Sequence, residues 1–294
     1  MAPEDILPER FQPDSGALEK ATSEGVFVEA AFYLAQECGV LSVIISNLKP
    51  RLPATNLSQT IDMAMIVRLS KLMKLLIRDI SNNETYGQLS ISRQMLETAA
   101  TLVYLLHDDG SGDRYLKYIQ DSLVSEKEIM KQINQNIKKR GGKVLKIEKR
   151  MEESILETAT AAGITSLDSI PPRGKIGFPK FEERVMLLGG PTVYVGYRSG
   201  SAEIHGTWTD LFKHHLMYSD EMFYPNNDEP PTRPHVATTA TSILSRVLVA
   251  YIDSLQDKDV TQMFEPLLKD ITERNHRVVD LHEKYLNKKH SGAV

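Results

Sequence analysis

Four side chains between Tyr197 and His205 have the types and spacing to act on a phosphate. The segment reads YRSGSAEIHG. If it is helical, Arg198 and His205 are seven residues apart, close to two turns. They then share one face and lie about 10 Å apart along the axis, with Ser201 between them.

Arginine and histidine at this spacing could cleave RNA without a metal ion. The planar guanidinium of Arg198 donates paired hydrogen bonds to a phosphate and would stabilise the charge on a pentavalent phosphorus. A histidine such as His205 can move the proton of a ribose 2′-hydroxyl or of the leaving group. The pattern predicts catalytic roles for Arg198 and His205, and substrate-binding roles for Tyr197 and Ser201.

The same residues would equally suit a buried polar network that joins helices. A pair of arginine and histidine at such a spacing is expected about once by chance in a chain of this composition. A second such pair, Arg277 and His282, does occur in the last predicted helix. The spacing therefore leaves a structural role for Arg198 and His205 open.

Arg93 and Glu97 form a second candidate constellation. They lie four residues apart on an otherwise apolar helix and can pair with each other. Such a pair either faces solvent or lines a site. In the second case Glu97 would orient Arg198 or His205 from the opposite helix, so we include Arg93 and Glu97 among the candidate catalytic residues.

The metal-binding signals are weak. One Glu-x-x-His motif occurs without the second copy that a di-iron bundle requires. Asp210 and His214, four residues apart, could share a metal with His205, while His215 would face elsewhere. A polar helix face explains the same residues, so no metal and no cofactor are predicted.

A basic run at Lys138–Arg150 contains seven Lys or Arg residues and one Glu. It could contact RNA or an acidic partner, or it could be a solvated helix junction. The whole chain has a net charge of −4. Any attraction to nucleic acid would therefore have to be local.

Apolar residues at spacings of three and four predict that helices carry these side chains. No stretch shows clear strand alternation. We therefore expect an all-α, multi-helix bundle without a significant sheet, with residues 1–22 as a loose leader and residues 23–294 as a single domain. The predicted helices cover residues 24–47, 56–80, 88–107, 114–140, 144–162, 181–188, 236–255 and 260–287, with loops at 163–178 and 223–234.

The sequence also predicts a cytoplasmic protein. Its one cysteine, Cys38, permits neither an intramolecular disulfide nor a cysteine-based zinc site. The polar, proline-containing N-terminus is unlike a signal peptide. The apolar stretch Val26–Leu48 is interrupted by Glu29 and Glu37, which indicates a buried helix and no membrane association.

Two segments resemble an uncharacterised, mainly bacterial helical family. ISRQMLETAATLVYLL, residues 91–106, is similar to its R-x-x-x-E helix. YRSGSAEIHG, residues 197–206, is similar to its Y-x-x-x-S-x-x-x-H-G signature. The likeness extends over roughly residues 60–255 and implies a helical fold.

A looser resemblance is to HEPN domains, helical bundles that often act as metal-independent ribonucleases in toxin–antitoxin and phage-defence systems. Arg198 and His205 match the longest form of their arginine–histidine motif. Ser199 stands where many HEPN nucleases have Asn, Asp or His. The resemblance implies RNA as a substrate, a homodimer with a composite site, and an antitoxin or other protein as a further partner.

Overall fold

The computed structural model describes residues 7–48, 56–190, 197–198 and 204–291, and within them the regular structure is helical apart from one small hairpin. The predicted all-α fold is therefore confirmed. The helices are α1 (Ser15–Glu19), α2 (Gly25–Ser46), α3 (Leu57–Ser81), α4 (Gln88–Leu106), α5 (Asp113–Lys139), α6 (Lys146–Ala161), α7 (Arg173–Ile176), α8 (Phe181–Leu188), α9 (Trp208–Asp210), α10 (Pro234–Ser254) and α11 (Lys258–His290). The strands are β1 (Leu216–Ser219) and β2 (Met222–Pro225).

The predicted helices end within three residues of the observed ones, because local signals mark their ends. The Asp257 side chain accepts from the backbone amides of residues 259 and 260 and so caps α11. At the end of α5, Gly142 takes a positive φ of 89° and donates its amide to the Ile137 carbonyl. Such contacts within a few residues determine where these helices begin and end.

Contacts divide the chain into two compact units. One comprises residues 1–55, 59–106 and 181–294, and the other comprises residues 56–58 and 107–180. The region predicted as one domain, residues 23–294, spans both units, and residues 7–22, predicted as a leader, belong to the first unit.

The core of the first unit is formed by α2 and α10, the two most apolar long helices. They pack on each other, and α10 also packs on α4 and α11. Phe27, Leu34 and Leu41 of α2 and Leu244 of α10 are almost completely buried. Burial of apolar side chains on both helices supplies the main stabilisation of this unit.

A buried ion pair connects α2 to α11 within this core. Nη1 and Nη2 of Arg274 each donate to one Glu37 carboxylate oxygen at 2.7 Å, and both side chains are less than 10% exposed. Arg274 also pairs with Asp270 at 2.8 Å, which in turn accepts from Arg10. Although burial alone would lower it, the pKa of Arg274 is raised by these carboxylates, so the guanidinium stays charged.

The N-terminal segment differs from the predicted loose leader over the part that the structure describes, residues 7–22. Asp14 caps α1, and Leu18 is buried against α2 and α11 in a cluster that includes Phe27 and Tyr285. The Phe11 amide donates to Glu37 at 3.1 Å. The prolines that suggested a loose segment do not prevent packing, because they lie outside α1 and the segment still places Phe11 and Leu18 against the core.

The hairpin is the only strand structure among the described residues, and the sequence did not predict it. Its strands are antiparallel, with Met217 opposite Tyr224 and Tyr218 opposite Phe223. The two turn residues, Asp220 and Glu221, have φ values of 50° and 61°. A tight turn of this kind usually contains glycine or asparagine, and their absence hid the hairpin from sequence inspection.

The second unit is built on α5. This helix packs on α6, on a 3-10 turn at Leu167–Ser169 and on α7. Lys127 of α5 donates to the Ile170 carbonyl at 2.8 Å and holds the loop that was predicted over residues 163–178. Two parts of the predicted loop are helical: the 3-10 turn at Leu167–Ser169 and α7.

Two helices, α2 and α10, are long and apolar enough to span a bilayer by length and composition. They pack against each other, and half of the most apolar window of α2 and 67% of that of α10 is buried within the protein. Core helices have the same composition, which agrees with the buried helix predicted for Val26–Leu48. The cytoplasmic location stays a prediction.

Replacing Glu37 with Leu should destabilise the protein by about 3–5 kcal/mol, because the charge of Arg274 would remain buried without its main partner. The double variant Glu37→Leu/Arg274→Met should recover most of that loss. Urea unfolding followed by circular dichroism measures both. Arg10→Ala, which removes an exposed partner of Asp270, is the control and should change little. A Glu37→Leu variant as stable as the wild type would contradict the role given to the pair.

Candidate functional site

Arg93 and Glu97 pair on α4, as their spacing predicts. Arg93 Nε lies 3.2 Å from Glu97 Oε1. The Arg93 side chain is 14% exposed and that of Glu97 is 42% exposed. The pair thus lies at the edge of the core, with the arginine directed inward and the carboxylate reaching solvent.

Tyr197 contacts this pair. Arg93 Nη2 donates to the Tyr197 hydroxyl at 2.8 Å, and the guanidinium carbon lies 4.4 Å from the centre of the tyrosine ring. Phe181 of α8 also stacks on that ring, with 4.0 Å between centroids. Burial of the phenol and the nearby charge of Glu97 raise the pKa of Tyr197, so it stays neutral. The two motif segments therefore meet at this tyrosine.

The predicted catalytic residues Arg198 and His205 are both exposed and have helical backbone. Among the described residues neither makes a hydrogen bond or an ion pair. Glu97 lies beside Tyr197 and pairs with Arg93, and the structure does not show the predicted contact of Glu97 with Arg198 or His205. Ser201, the other predicted substrate-binding residue, lies outside the described residues.

Asp210 pairs with His215 and not with His214, so this detail of the sequence interpretation is wrong. The Asp210 carboxylate is buried, and its Oδ2 lies 3.7 Å from His215 Nε2. Residues 211–215 form a π turn, in which hydrogen bonds join residues five apart. The turn rotates His215 onto the face that a regular helix would give to His214.

Thr85 and Tyr86, directly before α4, make another contact that the sequence did not indicate. A carboxylate oxygen of Glu229 accepts from the Thr85 amide, the Thr85 hydroxyl and the Tyr86 amide, at 3.0, 2.6 and 2.8 Å. The hydrogen bond from the Thr85 hydroxyl is the largest contribution that lowers the pKa of Glu229. The Tyr86 ring meets His215 edge to face at 4.9 Å between centroids. These contacts attach the residues before and after the hairpin to the segment that precedes α4.

In the second arginine–histidine pair, Arg277 and His282, the histidine has a structural role. His282 Nε2 lies 3.2 Å from Glu24 Oε1, and the His282 ring contacts Phe27 in the core. Arg277 is exposed. Of the two matches, only Arg198 and His205 are thus both open to solvent.

The basic run at Lys138–Arg150 spans the turn between α5 and α6, and all of its Lys and Arg residues are exposed. Arg140 is bound to Glu148, whose pKa is lowered first by the Leu145 amide and then by Arg140. The lysines leave a positive surface on the second unit. No group of three metal-ligating side chains occurs in the part of the chain that the structure describes.

Tyr197→Phe should lower the free energy of unfolding by about 1 kcal/mol, because Arg93 loses an acceptor at a largely buried position. Thermal unfolding measures this loss. Tyr33→Phe is the matched control: its ring is 40% exposed and no hydrogen bond of its hydroxyl is seen among the described residues. Arg198→Ala and His205→Ala should change stability by less than about 0.5 kcal/mol, since both side chains are exposed. Equal losses in all four variants would refute the distinction between anchoring and exposed residues.

Comparison with known proteins identifies a family. A model described as a family of unknown function, DUF5677, matches residues 60–223, more than half of the chain. The match includes α4 with Arg93 and Glu97 and the segment with Tyr197 and His205. No curated protein and no solved structure matches the chain. The predicted resemblance to an uncharacterised family is therefore confirmed, and the chain belongs to the DUF5677 family.

Proposed function

We propose that this protein is a HEPN-like helical protein that binds and cleaves RNA without a metal ion, through Arg198 and His205. The observation that carries the proposal is the contact between Arg93 and Tyr197. It anchors the residue directly before Arg198 to a core helix. A side chain next to a fixed point can be held ready for a substrate, and both Arg198 and His205 are open to one.

The reaction would be an internal transfer of the phosphate. In a homodimer, His205 of one copy takes the proton of the ribose 2′-hydroxyl, and the 2′-oxygen attacks phosphorus. The bond from phosphorus to the 5′-oxygen breaks, and that oxygen receives a proton from the second copy's His205. Arg198 neutralises the charge on the non-bridging oxygens. The products are a 2′,3′-cyclic phosphate and a 5′-hydroxyl end.

Arg93, Glu97 and Tyr197 act as positioning residues in this proposal. Arg93 donates hydrogen bonds to Glu97 and to Tyr197. In this proposal its role is therefore to hold Tyr197 in place. Ser201 would contact the ribose or phosphate as a substrate-binding residue. An activity of this kind suits a toxin or phage-defence effector whose partner, an antitoxin or another protein, keeps it inactive.

Purified protein should cut single-stranded RNA in the presence of EDTA, and His205→Ala should lower the rate at least about 100-fold because proton transfer is lost. The cut ends should be 2′,3′-cyclic phosphates, which gel mobility before and after acid treatment distinguishes. His276→Ala, which removes an exposed histidine of α11, controls for contaminating nuclease and should cut at the wild-type rate. Intact RNA at micromolar protein concentration would refute the nuclease proposal.

RNA affinity should also depend on the basic run of the second unit. Lys143→Glu/Lys146→Glu removes two exposed lysines and should weaken binding of a single-stranded RNA, with the slope of log K against log salt reduced by at least about 1. Fluorescence anisotropy at several salt concentrations measures this. Lys288→Glu/Lys289→Glu, at the end of α11, makes the same change of charge elsewhere and should have a smaller effect. Equal effects would indicate a nonspecific charge response.

A non-catalytic helical regulator is the second function that the contacts support. Arg93 is largely buried, and it pairs with Glu97 and Tyr197 at the edge of the core. Such a network fixes helix positions without chemistry. Under this alternative, Arg198→Ala and His205→Ala change neither stability nor RNA integrity, whereas Arg93→Ala lowers the melting temperature.

A further inference from the structure

Asp210 is a buried carboxylate that does little to hold the fold together. Its side chain is 1% exposed, and its Oδ1 accepts no hydrogen bond from the residues that the structure describes. Its Oδ2 lies 3.7 Å from His215 Nε2, which is longer than a hydrogen bond. Because a charge buried without partners is costly, a carboxylate kept in this position indicates a role in function.

His215, the neighbour of this carboxylate, is open to solvent, with 39% of its side chain exposed. A second histidine–carboxylate pair, Glu24 and His282, has the reverse order of burial: the histidine is 9% exposed and the glutamate 17%. There the imidazole is enclosed by the core. A buried carboxylate behind an exposed imidazole is instead the arrangement used for proton transfer, in which the carboxylate orients the ring and stabilises its protonated form.

The backbone between the two residues is shaped to bring them together. The Thr207 side chain accepts the Asp210 amide, and residues 211–215 continue as a π turn. On a regular helix, the residue four positions after Asp210 would lie beside it, and that residue is His214. The π turn places His215 there, and such turns are uncommon and frequent at functional sites. The turn therefore selects one of two adjacent histidines for Asp210.

The His215 ring keeps one nitrogen for a substrate. Nε2 is the nitrogen that lies near Asp210, so Nδ1 is the nitrogen left for another partner. The Tyr86 ring packs edge to face against the imidazole, and the His215 carbonyl accepts the Asn226 amide at 2.9 Å. Contacts to both the ring and the backbone thus hold Nδ1 in a defined position.

His215 also lies close along the chain to His205. Thr207 follows two residues after His205, and its carbonyl accepts the Leu211 amide, which closes one helical turn around Asp210. Two extended residues and one turn span at most about 12 Å between the α-carbons of His205 and Asp210. The side chains of His205 and His215 can therefore reach the same phosphate group.

We infer that His215, held by Asp210, is the general acid of the proposed RNA reaction within a single chain. His205 takes the proton of the ribose 2′-hydroxyl, and the 2′-oxygen forms its bond to phosphorus. As the bond from phosphorus to the 5′-oxygen breaks, its electron pair stays on that oxygen, which receives the proton of His215 Nδ1. Asp210 keeps its negative charge throughout and acts as a positioning residue.

The role of His215 rests on the proposed function and changes one of its steps. The proton that the reaction above takes from His205 of a second copy comes here from the same chain. One chain then holds the base and the acid, and the loss of His205 and the loss of His215 have different chemical consequences.

An RNA substrate with sulfur in place of the scissile 5′-oxygen separates the two consequences. A thiolate leaves without a proton, so a variant that lacks only the acid regains its rate on this substrate. On ordinary RNA, His215→Gln should lower the cleavage rate at least about 100-fold and Asp210→Asn at least about tenfold. On the 5′-thio substrate both should cut within about threefold of the wild-type rate, whereas His205→Ala, which lacks the base, should stay inactive.

His214→Gln is the matched control, because it removes the adjacent histidine and leaves the pair with Asp210 intact; it should cut both substrates at the wild-type rate. Thermal melts confirm that each variant is folded, and His215→Gln, at an exposed position, carries the test if Asp210→Asn does not fold. Folded His215→Gln that cuts ordinary RNA at the wild-type rate, or that stays inactive on the 5′-thio substrate, overturns the inference. Recovery of His205→Ala on the 5′-thio substrate would assign the acid to His205 and overturn it as well. Wild-type protein that cuts neither substrate overturns the proposed function itself.

Discussion

The buried pair of Glu37 and Arg274 is the interaction on which the arrangement of the first unit depends. The helix α2 is apolar on nearly all sides, so hydrophobic burial favours its packing without setting its rotation about its own axis. The bidentate ion pair, with two contacts of 2.7 Å, fixes this rotation. If α2 turned about its axis, Glu37 and Arg274 would separate and each charge would be buried without a partner. The same pair binds the backbone of Phe11 and so also fixes the N-terminal segment.

Helix α4 connects the core of the first unit to the candidate site. Its buried face packs on α10 and α8. On its other side, Arg93 binds Tyr197, and Thr85 and Tyr86, which directly precede the helix, bind Glu229. Residues next to such anchors gain a defined position from a rigid element, while the side chains of Arg198 and His205 stay open to solvent.

The region that follows departs most from regular structure. A π turn brings His215 to Asp210, and two non-glycine residues at positive φ close the hairpin. Departures of this kind cost free energy and are enriched at functional positions. Two further non-glycine residues at positive φ, Asn83 and Gln256, lie just after the ends of α3 and α10.

The sequence by itself determined the helices, because apolar spacing and capping residues such as Asp257 act over a few neighbouring residues. It also determined that Arg93 and Glu97 pair, since that contact spans one helical turn. Only the tertiary structure decided that Tyr197 binds Arg93 and that Leu18 belongs to the core, because those partners are far apart in sequence. It also decided that His215, and not His214, meets Asp210: a single extra residue in one turn changes which side chain faces inward, and no local pattern records it.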